Sequence, residues 1–191
     1  QLLSAGRLKI GATLVILSPF VPMLFQGEEW GAGTPFLYFT NHPNTELARA
    51  VRDGRRKEFA AFGWDPEHVP DPQAPDSFTR SKLNWNEVSV TSHADLLQWH
   101  KDLIRLRHLE PALNDGRLDT VRTRFDDTSR WFVLERPPIT VAMNLHSQAQ
   151  LVPWRLPRPE VLLASESVVE IRYDGVVLPP DSIVVVRGCK D

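Results

Sequence analysis

Apolar residues at the start of the chain follow the repeat of a buried α-helix. Over residues 2–18 they are dense and keep helical spacing, and Pro19 ends the pattern. The next apolar run, residues 22–26, turns abruptly polar at Glu28 and Glu29, which is typical of a buried strand that runs out into a loop. A helix followed by such a strand predicts an α/β architecture with a parallel sheet, in which chemistry gathers where the strands end.

Residues 33–90 form a long insertion rich in proline, aromatic and charged side chains. Within it, the pattern over residues 46–62 places Leu47, Val51 and Phe59 on a different helix face from several arginines, which predicts one helix. Gly54 lowers the helix propensity of this segment. An insertion of this length inside a compact domain is usually functional or acts as a lid.

The strongest helical pattern covers residues 93–109. Ser92 is the predicted N-cap, and Pro111 follows the end of the helix. The predicted apolar stripe consists of Leu96, Leu97, His100, Leu103, Ile104 and Leu106.

After Asn114 the hydrophobic pattern changes to a repeat of two. Residues 130–136, 139–145, 168–173 and 182–187 read as strands separated by Pro, Gly, Asp and Ser turns. We therefore expect two domains, an α/β part over residues 1–113 and an antiparallel β-sandwich over residues 114–191.

Charge and cysteine content narrow the class of protein. The formal net charge is −2, with 22 basic and 24 acidic residues interspersed, so neither nucleic acid nor an anionic membrane is an expected partner. The apolar run over residues 10–25 is short for a membrane span and contains Pro19 and Pro22.

Cys189 is the single cysteine, so no internal disulfide can form and the cytoplasm is the expected location. Because the chain opens on Gln1 in helix-like sequence, we expect it to be a piece of a longer protein.

Three motifs resemble the end of an α-amylase-superfamily glycoside hydrolase. They are Phe-Gln-Gly-Glu-Glu-Trp-Gly at 25–31, Ile-Arg-Leu-Arg-His-Leu-Glu-Pro-Ala-Leu at 104–113 and Leu-Pro-Pro-Asp-Ser-Ile-Val-Val-Val at 178–186. The resemblance implies the last portion of a (β/α)8 TIM barrel followed by a C-terminal antiparallel β-sandwich. Residues 2–18 would be the seventh barrel helix, 22–26 the eighth strand and 93–109 the eighth helix.

Four motifs in the insertion look like malto-oligosyltrehalose trehalohydrolases in particular. They are Thr-Pro-Phe-Leu-Tyr-Phe-Thr-Asn-His-Pro at 34–43, Gly-Arg-Arg-Lys-Glu-Phe-Ala-Ala-Phe at 54–62, Val-Pro-Asp-Pro-Gln at 69–73 and Ser-Lys-Leu-Asn-Trp at 81–85. The resemblance implies retaining hydrolysis of the α-1,4 bond next to the trehalose unit of malto-oligosyl trehalose, a reaction of trehalose biosynthesis. A glucan branching enzyme or another α-amylase relative is the alternative.

Retaining hydrolysis needs a carboxylate nucleophile and an acid/base carboxyl group roughly 5 Å apart. The resemblance places these groups on earlier barrel strands, so we expect no catalytic residue in this chain, which would supply one wall of the site. Its expected partners are the missing N-terminal part of the barrel and the α-glucan substrate. As an isolated chain it would be a non-catalytic carbohydrate-binding or packing module, poorly folded before Asn114, because a broken barrel leaves parallel strand edges unpaired.

The candidate substrate-binding residues flank the start of the insertion. Glu28 and Glu29 are paired carboxylates, but the side chains of neighbours on an extended chain point in opposite directions. Each could therefore have a structural role, and one of them could contact a sugar hydroxyl. Trp30 and Phe39 could stack on sugar rings or anchor the loop. His42 could bind a sugar hydroxyl or belong to a turn.

No cofactor or metal is expected. The six histidines lack metal-ligand spacing, and no glycine-rich phosphate loop occurs. The basic residues within 49–57 read as a solvated helix face paired with Glu46, Asp53 and Glu58.

Overall fold

Five α-helices precede eight β-strands within residues 3–188, the part of the chain that this computed structural model describes. Leu2, at the predicted start of the first helix, and Cys189 lie outside the described residues. The helices are α1 Ala5–Leu17, α2 Thr45–Ala61, α3 Pro75–Thr79, α4 Thr91–Leu109 and α5 Pro111–Asn114. The strands are β1 Arg122–Asp126, β2 Trp131–Arg136, β3 Ile139–Asn144, β4 Gln150–Pro153, β5 Pro159–Ala164, β6 Glu170–Arg172, β7 Gly175–Leu178 and β8 Ser182–Gly188.

The chain divides into two compact units. One unit is Ala32–Glu87, which holds α2 and α3. The other combines the segments on either side of it, so α1, α4, α5 and the described strands belong together. The helix predicted over residues 46–62 is confirmed as α2.

Strands β3 and β8 are the centre of the second unit. They pair antiparallel in a five-stranded sheet of order β1-β2-β3-β8-β5. Ile139, Val141 and Val185 belong to a core shared with the helices, whereas Ala142 and Val184 belong to a core shared with the three-stranded sheet β4-β7-β6. Both faces of the central strands are thus covered, which explains their nearly continuous apolar sequences.

Helices α1 and α4 form the layer on the first face of this sheet. Trp99 joins them, since its Nε1 donates to the Lys9 carbonyl oxygen at 3.1 Å and to Thr13 Oγ1 at 3.2 Å. Four residues of the predicted stripe of α4 are buried, whereas Ile104 is exposed and the buried Trp99 was not predicted. The predicted N-cap at Ser92 is wrong, because α4 begins at Thr91 and its N-cap is Val90.

The predicted buried strand over residues 22–26 is not found. The segment makes no ladder with any described residue, and each described strand pair is antiparallel. Its apolar side chains are exposed, Met23 to 87%. A parallel strand needs a neighbouring strand to satisfy its backbone groups, and the described chain offers none at this place.

Four strands were not predicted from the sequence. β1 carries Arg122 and Arg124 at the sheet edge, where a regular apolar repeat is not required. β4 and β7 have four residues each and β5 contains a bulge, so the repeat of two is short or interrupted.

Two arginines satisfy the carbonyl groups at the end of α1. Arg136 is 3% exposed, and its Nη1 donates to the carbonyl oxygens of Leu17 and Ser18, each at 3.0 Å. Its guanidinium also donates to the carbonyl oxygens of Leu113 and Asp115. Burial and the positive charge of Arg107 lower the pKa of Arg136, an effect that Asp115 partly offsets.

Arg107, on α4, completes this arrangement. Its guanidinium donates to the carbonyl oxygens of Ile16, Ser18 and Phe20, the last two at 2.8 and 3.1 Å. The end of α1 is therefore tied to α4 by one arginine and to β2 by the other.

The first turn of α1 lies against the turn before β8. Ser4 Oγ donates to Asp181 Oδ2 at 2.7 Å, and Arg7 Nε donates to Asp181 Oδ1 at 3.0 Å. A β-carbon at Gly6 would lie 2.0 Å from the Asp181 carbonyl oxygen. The close approach therefore requires glycine at this position.

We predict that Gly6→Ala lowers the free energy of unfolding by at least about 1–3 kcal/mol, because a methyl group would overlap rigid backbone. Gly11→Ala is the matched control, since no atom lies within 4 Å of the added carbon. It should be neutral or stabilise α1 by about 0.5–1 kcal/mol. Urea denaturation measures both values, and equal midpoints would contradict the close approach.

We predict that Arg136→Met destabilises the chain by at least about 2–4 kcal/mol, because several buried carbonyl groups lose their donor. The control Arg122→Met, on the exposed edge strand, should stay within about 0.5 kcal/mol of the wild type. The comparison is again made by urea denaturation. A tolerated Arg136→Met would show that water replaces the guanidinium.

Candidate functional site

A turn bounded by two glycines carries the two predicted carboxylates. Gly27 and Gly31 have φ values of 82° and 67° and enclose a 3-10 helix, Glu28–Trp30. The Glu28 carboxylate accepts from the Phe25 N–H at 2.9 Å. The backbone N–H of Glu28 donates back to the Phe25 carbonyl oxygen at 3.0 Å. Glu28 therefore closes the turn on which it lies.

Glu29 is partly exposed, whereas Glu28 is exposed. The expectation that the two carboxylates point opposite ways assumed an extended chain, and the structure shows a 3-10 helix instead. Neighbouring side chains then diverge by about 120°, at three residues per turn. The two carboxylates still do not converge on one point.

Trp30 is part of the packing of its unit. It is 2% exposed, and its carbonyl oxygen lies 2.7 Å from Nδ1 of His93 on α4. The following Gly31 approaches Leu96, which lies 3.2 Å from the position of an added β-carbon. The faces of the Trp30 ring are therefore covered in this conformation.

Phe39 lies in the unit formed by the insertion. Its ring contacts Phe78 edge to face at a centroid distance of 5.1 Å and Phe36 at 5.9 Å. It remains 37% exposed. Two aromatic neighbours thus fix a ring that still has free surface, an arrangement suited to stacking against a ligand.

The segment that leads to His42 is held by the turn around Gln73. Thr40 N donates to the Pro72 carbonyl oxygen at 2.8 Å, and His42 N donates to Gln73 Oε1 at 3.1 Å. Gln73 Nε2 in turn donates to Thr40 Oγ1. The backbone of His42 is positioned by these bonds, and its partly exposed imidazole is held at the end of a fixed segment.

An aromatic clamp around Arg55 was not anticipated from the sequence. The guanidinium carbon lies 4.9 Å from the Tyr38 ring centroid and 4.7 Å from that of Phe59. Arg55 also pairs with Glu58 at 2.8 Å, as the charge pattern predicted. A cavity of about 270 Å³ lies beside the clamp and is also lined by Trp64. The signal in the sequence was an arginine four residues before an aromatic residue on one helix.

Arg52 connects α2 to the turn that holds His42. It pairs with Asp71 at 2.7 Å rather than with the acids of its own helix. Partial burial alone would raise the pKa of Asp71, but the Gln73 N–H and the Arg52 guanidinium lower it below its ordinary value. An ionised Asp71 therefore stabilises the turn.

Residues 3–188 contain neither a cluster of metal ligands nor a membrane-spanning helix. No group of three or more His, Cys, Asp or Glu side chains is arranged there to hold a metal ion. Within the same residues, no helix has the length and apolar character needed to cross a bilayer.

Known protein sequences resemble this chain from end to end. Residues 116–185 match a family described as a domain of unknown function (DUF3459). The malto-oligosyltrehalose trehalohydrolase of Rhizobium sp. (strain M-11) is 43% identical over 98% of this chain and 31% of its own length. That of Mycobacterium tuberculosis (strain H37Rv) is 41% identical over 100% of this chain and 32% of its own length. The chain thus spans about a third of the length of these relatives.

Solved structures agree with the sequence comparison. A putative α-amylase from Salmonella typhimurium is 33% identical over 96% of this chain and 31% of its own, with a TM-score of 0.76. The catalytic module of the glycogen-degrading pneumococcal protein SpuA is 18% identical over 98% of this chain and 32% of its own, with a TM-score of 0.64. At that identity, the second likeness concerns the fold alone.

We predict that Asp71→Asn lowers the melting temperature at pH 7 and has less effect at low pH. The stabilisation is present above the ordinary pKa of about 3.9 and is lost as the pH falls through the lowered folded-state pKa. Because the pair is partly exposed, the loss at pH 7 should be at most about 1 kcal/mol.

Thermal unfolding at pH 7 and at low pH measures the effect. Asp76→Asn is the control, since its pair with Arg80 is 3.5 Å long and more exposed. An Asp71→Asn effect that is independent of pH would contradict a role for the charge.

Proposed function

This chain belongs to the malto-oligosyltrehalose trehalohydrolase family of α-amylase-type glycoside hydrolases, and we propose that the protein containing it releases trehalose from malto-oligosyl trehalose. The bond hydrolysed would be the α-1,4 bond next to the trehalose unit. The observation that carries the proposal is the identity of 41% and 43% to two trehalohydrolases over essentially the whole chain. The branching-enzyme or α-amylase alternative is not favoured, because several relatives bear the trehalohydrolase name.

We propose that the reacting carboxylates lie in a part of the enzyme outside these 191 residues. Retaining hydrolysis needs a nucleophile and an acid/base group that converge on one glycosidic bond. Glu28 and Glu29 are adjacent carboxylates, but their side chains diverge on a 3-10 turn. The Glu28 carboxylate also accepts a hydrogen bond from the Phe25 N–H. The geometry therefore supports a wall of the site rather than its reacting centre.

The uncovered apolar segment after α1 supports a proposed position of the chain in the enzyme. We propose that α1 and α4 are the last helices of a (β/α)8 barrel, that residues 22–26 are its eighth strand, and that residues from 114 onward form the β-sandwich domain. Phe20, Val21, Met23 and Phe25 are exposed, as expected of a strand whose partners belong to the rest of the barrel.

Among the candidate residues, we propose sugar contacts for Glu29, Phe39 and His42. Phe39 presents free ring surface, and Glu29 and His42 are partly exposed polar groups on fixed backbone. Glu28 and Trp30 would act indirectly, Glu28 by closing the turn and Trp30 by packing it against α4. A cytoplasmic location is part of the same proposal.

We predict that the complete enzyme releases free trehalose from maltotriosyl trehalose, whereas this 191-residue chain alone releases none. Both are incubated with the substrate, and the products are separated by chromatography. A plain malto-oligosaccharide of equal length is the control, since it contains no trehalose unit to release.

Two outcomes would contradict the proposal. Shortened or branched glucan without trehalose would move the protein to the amylase or branching-enzyme relatives. Trehalose from this chain alone would mean that it contains the reacting groups, and Glu28 and Glu29 would then be the first candidates.

A further inference from the structure

A wide cleft opens in the unit that contains the two sheets. Its volume is about 1100 Å³, and its lining comes from β1 and β2 of the larger sheet and from β4 of the smaller one. The segment after β4 and the turn between β6 and β7 complete it. Sites for small molecules typically measure about 300–1,000 Å³, so this cleft suits a segment of a chain molecule rather than a single small ligand.

Tyr173 stands at the rim of the cleft with its ring uncovered. It occupies, with Asp174, the two-residue turn between the paired Arg172 and Gly175, and it is 99% exposed. Its ring is not needed for packing, because it covers no core residue. An aromatic face held out beside a cleft is the surface on which the C–H groups of a flat ligand stack.

The turn that carries Tyr173 is fixed to the wall of the cleft. The Trp154 N–H donates to the Asp174 carbonyl oxygen at 3.0 Å, and Trp154 is itself buried in the core between the sheets. A β-carbon on Gly175 would lie 2.4 Å from the Val152 carbonyl oxygen. The turn and β4 are thus in close backbone contact, and Tyr173 is carried on a preformed support.

The charges in the cleft balance. Arg124 donates to the Glu135 carboxylate at 3.0 Å and to the Pro153 carbonyl oxygen at 3.2 Å. Arg155 and the carboxylate of Asp174 add one charge of each sign. Such a lining offers donors and acceptors together without a net charge, which matches a neutral, hydroxyl-rich ligand better than an anion or a cation.

The floor between these groups is apolar. Leu151, Leu156 and Pro157 line it. A sugar chain presents hydroxyl groups at its edges and C–H groups on its faces, so an apolar floor, a polar rim and an exposed aromatic ring complement it.

We infer that this cleft binds an α-glucan chain, with Tyr173 as the stacking platform and Arg124, Arg155 and Asp174 as hydrogen-bonding groups. The choice of an α-glucan among neutral oligosaccharides rests on the proposed function.

Titration calorimetry of the 191-residue chain with maltoheptaose tests the inference. Tyr173→Ala should weaken binding about ten-fold or more, whereas Tyr173→Phe should keep the affinity within about three-fold. Phe125→Ala is the matched control, because Phe125 is also an exposed aromatic residue, on β1 beside Arg124, and is not part of the lining. Cellohexaose, which is β-linked, should bind at least ten-fold more weakly than maltoheptaose.

Backbone NMR shifts locate the bound glucan. Shifts confined to residues 151–157 and 173–174 and to the neighbourhood of Arg124 and Glu135 are expected. Shifts centred on Phe39, equal losses in Tyr173→Ala and Phe125→Ala, equal binding of cellohexaose, or no binding of maltoheptaose would each overturn the inference.

The trehalose assay on the complete enzyme is independent of this result. A cleft that fails to bind maltoheptaose leaves trehalose release intact. An enzyme that releases no trehalose leaves maltoheptaose binding and its loss in Tyr173→Ala unchanged.

Discussion

The carbonyl groups at the end of a buried helix need donors, and in this chain two guanidinium groups provide them. Arg136 reaches α1 from β2, and Arg107 reaches it from α4. Because Arg136 also binds the carbonyl oxygens of Leu113 and Asp115, it joins α1, the α5 segment and the sheet at one buried point. A planar group with five donors can do this, whereas the compact ammonium group of lysine could not serve so many acceptors in fixed directions.

The same arrangement sets the position of the apolar segment after α1. Arg107 binds the carbonyl oxygen of Phe20, just before the exposed residues 21–25. The segment therefore leaves the helix in a fixed direction with its side chains uncovered. In the proposed enzyme, this is where the chain would enter the barrel and continue into the turn of Glu28 and Glu29.

The hydrophobic pattern was sufficient to predict the elements that have one solvated face or are buried on both faces. α2 has one solvated side, and β3 and β8 are mostly apolar, so the pattern alone predicted them. Residues 22–26 have the same apolar character, but a strand exists only where a partner strand offers hydrogen bonds, and sequence does not display that partner. The role of Trp99 was missed for a related reason, since its indole N–H is satisfied by residues of another helix. At the site, residue type alone identified the candidate residues. The hydrogen bond to the Glu28 carboxylate, the burial of Trp30 and the aromatic clamp around Arg55 depend on backbone geometry, which residue spacing does not encode.

The central sheet has helices on one face and a second sheet on the other, with β3 and β8 buried between them. One consequence concerns how such a region could be exchanged between proteins during evolution or engineering. Strands cut out at Asn114 would leave Ile139, Val141 and Ile183 without the helices that cover them. The strand region is therefore not suited to transfer by itself. A graft that folds would have to include α1 and α4, or helices of matching shape, together with the sheet.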